Sequence, residues 1–176
     1  MNDALKVMEE RRSCRDFDKT RQLPEEVLEK IIRAGTYAAT GRNKQAPIII
    51  SVTDKKLRDE ISEENRKIGG WEEGFDPFYG APQMLIVLSD KTVSTHVYDG
   101  SLVIGNIMNA AHALGAASCW IHRAKEEFES DFGKNILKKL GIEGEYEGIG
   151  HVALGYANKP LGEAPPRKEN YVYYVK

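Results

Sequence analysis

Cysteine is almost missing: only Cys14 and Cys119 occur, and neither stands in a C-x-x-C or other metal-ligand spacing. Two cysteines cannot build a multi-bridge disulfide framework, so a reducing, cytoplasmic setting without a metal site is expected. An excess of charge of either sign is also missing. The 25 basic and 27 acidic residues leave a net charge of −2, with no global field to steer a polyanion, and nucleic acid is not an expected partner. Any attraction for phosphate has to be local. The opening MNDALKVMEERR has no apolar signal core. Residues 100–121 carry no Asp, Glu, Lys or Arg and are long enough to span a bilayer. Asn106, Asn109, His112 and Ser118 interrupt that run, which is rich in Gly and Ala. It reads as a buried helix running into a buried strand, and no membrane association is expected.

What is present suits one folded domain over residues 1–176: hydrophobic residues make up 41% and charged residues 30%. A first helix is expected from residue 3 to about 11, with Leu5 and Met8 three apart on one face. Pro24 opens a second, whose Val27, Leu28, Ile31 and Ile32 form i, i+4 pairs, and Glu25 and Glu26 favour its N-terminal dipole. ATGRNKQAP (39–47) is a loop. PIIISVTD (47–54) is a β-branched strand, and Asp54 can cap a charged helix over 55–68. GGWEEGFDPFYGAP (69–82) has aromatic residues without a period. It is either a lid, with Trp71, Phe75, Phe78 and Tyr79 over a flat substrate, or a small hydrophobic cluster under a long loop. Strands follow at 84–89, 117–121 and 149–157, and helices at 96–114 and 131–141, each helix closed by glycine. The class is α+β.

Two features bear on assembly. SLVIGNIMNAAHALG (101–115) is apolar on nearly every face and should be buried on nearly every face. Either its own domain wraps it or a second copy does. The tail's YVYYV (171–175) has no obvious neighbour in its own chain and is suited to the edge of a partner's sheet.

RRSCRDF (11–17) concentrates three guanidinium groups around one hydroxyl. In an extended chain Arg11, Ser13 and Arg15 share a side, and arginine forks match phosphate oxygens two at a time. Taken alone, the stretch reads first as a solvated basic turn balanced by Asp16 and Asp18. Arg167 and Lys168 follow a stiff Pro-Pro near the other end of the chain and can join the first cluster. Asn43 and Gln45 carry amides suited to a heterocycle with alternating donors and acceptors.

Read in order, R-R-S-x-R-x-F at 11–17, G-R-N-K-Q-A-P at 41–47, the apolar helix D-G-S-L-V-I-G-N-I-M-N-A-A at 99–111, S-C-W-I at 118–121, V-A-L-G-Y-A at 152–157 and P-P-R-K at 165–168 resemble the flavin-dependent nitroreductase family, as one of its short members. The resemblance implies a mixed, mainly antiparallel sheet flanked by helices, in a homodimer that exchanges its C-terminal strand and binds FMN where the subunits meet. It implies that Arg11, Arg12 and Ser13 face the FMN phosphate and that Arg167 and Lys168 close on it. Arg15 would reach the ribityl and pyrimidine side, Asn43 and Gln45 would come from the partner, and the backbone near Ile121 and His122 would offer an amide to flavin N5. The activity implied is NADH- or NADPH-dependent reduction of a small oxidised acceptor, such as a nitroaromatic or a quinone, by two-step hydride transfer through N5. An FMN-binding sensor or store without turnover shares every binding residue. No side chain is expected to be catalytic, because the flavin carries the chemistry. The chain departs from the family in two places. FDPFYGAP (75–82) lacks the lysine many members place near flavin N1, which leaves Arg15, or else a backbone dipole, for that duty, and His122 and Arg123 follow SCWI where a glycine is frequent.

Overall fold

The computed structural model describes residues 3–176. Its sheet is organised around Gln83–Asp90 (β2), a strand buried at seven of eight positions. A run of consecutive apolar residues fits a strand covered on both faces. β2 pairs antiparallel with Pro47–Val52 (β1) and with Tyr146–Gly155 (β4), and β4 pairs antiparallel with Ala117–Ile121 (β3). The order is therefore β1-β2-β4-β3, with β1 and β3 as the two edges.

Side chains alternate between two core layers, as the pleat requires. Met84, Ile86 and Leu88 meet Ile61, Phe78, Phe128 and Ile136 on one face. Leu85 and Val87 meet Leu28, Ile31, Val103, Ile104 and Ile107 on the other. The first layer is closed by the helices Lys55–Gly69 (α3), Ala124–Glu129 (α5) and Asp131–Leu140 (α6), and the second by Glu25–Thr36 (α2) and His96–Ala113 (α4). Asp3–Glu10 (α1) precedes them and has no buried residue. Local chemistry fixes the ends: the Asp54 carboxylate accepts from the Leu57 N–H at 2.8 Å to start α3, and Gly141 closes α6 in the left-handed region.

Three readings change or narrow. α5 had no sequence signal; its six residues carry too little apolar periodicity. α4 is not buried all round: Val97 (42% exposed), Tyr98 (72%) and Leu102 (52%) form a bare face in the single chain. As expected of a tail with no neighbour in its own chain, residues 171–175 form no strand there, and Val175 is fully exposed. The 69–82 segment is pinned rather than lid-like. Asp76 accepts from Arg58 Nη2 (2.6 Å), Ser62 Oγ (2.8 Å) and the N–H groups of Phe78 and Gly80, and Phe78 is fully buried. The remaining aromatic residues run along the segment as contacts, Trp71 to Phe75 at 5.1 Å and Phe75 to Tyr79 at 6.4 Å. Among the described residues, no helix is long and apolar enough to cross a membrane.

Candidate functional site

Leaving α1, the chain runs extended along the outer edge of β3. Ser13 forms a parallel bridge with Ser118, and the Cys14 N–H donates to the Ser118 carbonyl at 2.9 Å. Cys14 and Phe17 turn into the core at 1% exposure each, so the segment is anchored by its apolar residues. Burial pushes the thiols of Cys14 and Cys119 up, although Arg15 and a bond from Ser13 oppose this at Cys119. Both are inert core fillers rather than nucleophiles.

The polar residues between those anchors meet the tail. Arg11, Arg12, Ser13, Arg15 and Arg167 line one cavity of about 380 Å³, with Glu163 the one acid on its wall. Arg11 Nη1 and Arg12 Nε are buried without a hydrogen-bond partner among the described residues. Buried guanidinium donors are costly to leave unpaired, so these mark a place for an anion. Arg12 is partly committed elsewhere, since its Nη1 and Nη2 donate to the carbonyls of Arg11 (2.5 Å) and Glu9 (2.6 Å) at the end of α1. Arg167 Nη2 donates to the Pro165 carbonyl at 2.6 Å. Lys168 is not on this wall; its ammonium lies over the Tyr171 ring at 5.6 Å. Four arginines against one acid, with a hydroxyl among them, form a donor set that fits a phosphate dianion.

Further along β3, Ile121 is buried as the last strand residue and His122 is exposed. At about 3.4 Å per residue the edge from Ser118 to His122 runs roughly 13 Å. There the Trp120 and His122 rings lie 6.0 Å apart and help line a second cavity of about 630 Å³. Asn65 of α3, fully buried, donates to the His122 carbonyl at 2.8 Å, and Arg123 takes the left-handed conformation at φ 78° with its guanidinium 4.4 Å over Trp71. Asn65 was not singled out for the site from sequence, since it sits in a charged helix whose long-range partner leaves no pattern.

Asn43 and Gln45 do not join this set within one chain. They are exposed, in the left-handed region (φ 53° and 50°), with Gln45 Nε2 donating to Asn43 Oδ1 at 3.3 Å. They precede β1, the edge opposite β3, and three strand spacings of about 4.8 Å separate those edges by roughly 14 Å. Asp99 ties their loop to α4, accepting from the Gly41 N–H at 3.0 Å and from Thr95 Oγ1 at 2.9 Å. A larger groove along α3, about 790 Å³, is walled by Lys55, Asp59, Glu63 and Lys67, which pair with one another along the helix or with Arg66 and leave no buried donor free. Among the described residues, no group of three or more His, Cys, Asp or Glu is placed to hold a metal ion.

Comparison with known proteins addresses the whole arrangement. An FMN-bound nitroreductase from Bacteroides fragilis superposes with a TM-score of 0.91 at 26% identity, covering 100% of both chains. An FMN-bound nitroreductase from Desulfitobacterium hafniense gives 0.89 at 31% identity, again over 100% of both. A protein of Archaeoglobus fulgidus with the provisional name NADH dehydrogenase/NAD(P)H nitroreductase is 29% identical over 161 residues, 89% of this chain and 86% of its own length. The model of the Nitroreductase family matches residues 8–156, and the chain belongs to that family.

Proposed function

We propose that this protein is an FMN-dependent NAD(P)H oxidoreductase that reduces a small oxidised acceptor, a nitroaromatic or quinone, and works as a homodimer. The observation that carries the reading is the cavity where Arg11, Ser13 and Arg167 converge from opposite ends of the chain, with Arg11 Nη1 buried and unpaired. Its donors fit the FMN phosphate. FMN, when bound, supplies the two-electron carrier between NADH or NADPH and the acceptor.

The remaining work falls to this chain's residues. Arg11, Arg167 and Ser13 would hold the phosphate, with Arg12 contributing its Nε. Arg15, exposed beside the β3 edge, would place positive charge near flavin N1, where negative charge collects on reduction. The backbone at Ile121 and His122 would border the ring. Asn43 and Gln45 would reach the ring from the second subunit, consistent with their place at the far sheet edge. The exposed Val97, Tyr98 and Leu102 of α4, and the exposed Tyr171, Tyr173, Tyr174 and Val175 of the tail, support a partner surface, since large apolar side chains left bare are what an interface covers. Lys168 would close on the phosphate only by leaving its position over Tyr171.

The test is the visible spectrum of the purified protein, followed by release and identification of its ligand and anaerobic mixing with NADH and NADPH. A yellow protein that releases FMN and is bleached by either nucleotide is expected. A colourless protein that takes up no FMN overturns the reading, and bound FMN that neither nucleotide bleaches makes the protein a sensor or store instead.

A further inference from the structure

The segment from His122 to Glu127 is held more firmly than a surface turn needs. Asn65 donates to the His122 carbonyl at 2.8 Å. Arg123 keeps φ 78°, ψ 10°, a backbone conformation costly to a residue with a Cβ, while its guanidinium stacks on Trp71. The Ala124 carbonyl sits so close to Gly148 that a Cβ there would lie 2.1 Å from its oxygen. Glu127 Oε2 lies 2.7 Å from His151 Nε2, both side chains fully buried where α5 packs on β4. Strain that persists because its surroundings over-determine it is the kind stored where a site needs one fixed geometry.

That geometry concerns a single peptide unit. The group joining His122 to Arg123 is planar and trans, so its C=O and N–H point in opposite directions. Asn65 draws the carbonyl toward α3. The Arg123 N–H must then face away from α3, the side on which Trp120, His122 and Arg123 line the cavity with Val97 and Ser101 of α4, and among the described residues no acceptor pairs with it. Asn65 itself gains little by being polar, because its Oδ1 is buried without a partner. A leucine of similar size would satisfy that position better if packing were its only task.

We propose that Asn65 is a positioning residue: by holding the His122 carbonyl it turns the Arg123 N–H into the cavity as the hydrogen-bond donor to flavin N5. The proposal rests on the FMN reading above and names which amide serves and what aims it. An N–H directed at the N5 lone pair favours the oxidised ring, which has that lone pair, over the reduced ring, which carries hydrogen there. Asn65 therefore holds the flavin potential down.

The test is a potentiometric titration of the FMN-loaded wild type, Asn65→Leu and Asn65→Ala, with thermal melts of each. Both variants lack the donor but differ in volume. Both are expected to raise the midpoint potential by the equivalent of about a tenfold change in the oxidised-to-reduced ratio, roughly 30 mV for a two-electron couple. Only Asn65→Ala, which leaves a cavity, is expected to melt well below the wild type. If both variants bind FMN at the wild-type potential, Asn65 is a packing residue and the proposal is overturned while the FMN reading stands. A wild type that takes up no FMN removes both.

Discussion

Arg11 and Arg167 stand at opposite ends of the sequence and line the same cavity. The first follows α1 and is tied to β3 through the Ser13–Ser118 bridge, while the second arrives on the Pro165–Pro166 approach. Among the described residues neither guanidinium is in an ion pair, and Arg11 Nη1 is buried without a hydrogen-bond partner, so the two can share an anion.

Arg11 and Arg12 should therefore differ sharply. Arg11→Ala removes a buried, uncommitted donor, and a charge-assisted hydrogen bond is worth about 1.5–3 kcal/mol. FMN affinity, followed by quenching of flavin fluorescence, should fall roughly 10- to 100-fold. Arg12→Ala removes a side chain already spent largely on α1 carbonyls. Its affinity loss should be several-fold smaller, and equal losses would contradict the geometry.

Arg15→Gln should lower the flavin midpoint potential, because the exposed Arg15 is the cation assigned to N1. A shift of about 30 mV, equivalent to a tenfold change in the two-electron ratio, is expected by dye-linked titration. An unchanged potential would move that duty to a backbone dipole.

The 69–82 segment depends on Asp76. Burial pushes its carboxyl up, but the Arg58 guanidinium and the bonds from Ser62 and the Phe78 N–H outweigh this and hold it below the usual carboxylate range. A carboxyl depressed in the folded state contributes stability that is present above its unfolded pKa, about 3.9, and lost as pH falls through the folded one. Asp76→Asn should cost about 2 kcal/mol at pH 7, and the difference should shrink steadily as pH falls below about 3.9. Thermal melts of both proteins at pH 7 and through that acid range check this, and a difference that persists undiminished at low pH would contradict it.

The bare faces predict assembly. Leu102 is 52% exposed in the single chain, where a surface substitution typically moves stability by less than about 0.5 kcal/mol. Leu102→Glu should nonetheless shift the protein from dimer to monomer in sedimentation velocity. Deleting residues 171–176 should weaken the dimer as well. Two variants that sediment as the wild type does would remove the interface from α4 and the tail.

Much of this was legible in the sequence, for physical reasons that name themselves. Asp54 before a charged periodic run and Gly141 after one mark helix ends by backbone chemistry, and the short apolar run at 84–89 reads as a strand, which the structure covers on both faces. The arginine cluster was visible as a cluster, and the stiff Pro165–Pro166 approach already suggested that Arg167 could join it, a pairing the family resemblance then tied to a phosphate. What was hidden depends on contacts far apart in sequence. Asp76 turned a suspected lid into an anchored segment through Arg58, and Asn65 holds a carbonyl 57 positions away. The apolar circumference of α4 could not say which of its neighbours would be its own chain. Lys168 belonged to the predicted phosphate cluster, yet its stack on Tyr171 takes it off the cavity wall.

The most direct measurement compares FMN with riboflavin, which differs by the phosphate alone, in equilibrium titrations of the wild type and of a variant carrying both Arg11→Ala and Arg167→Ala. The account predicts that the wild type binds FMN at least about 100-fold more tightly, since two or more charge-assisted bonds at roughly 1.5–3 kcal/mol each are at stake, and that the double variant loses most of that preference. Equal affinity of the wild type for the two flavins, or a preference untouched by removing both arginines, would contradict it.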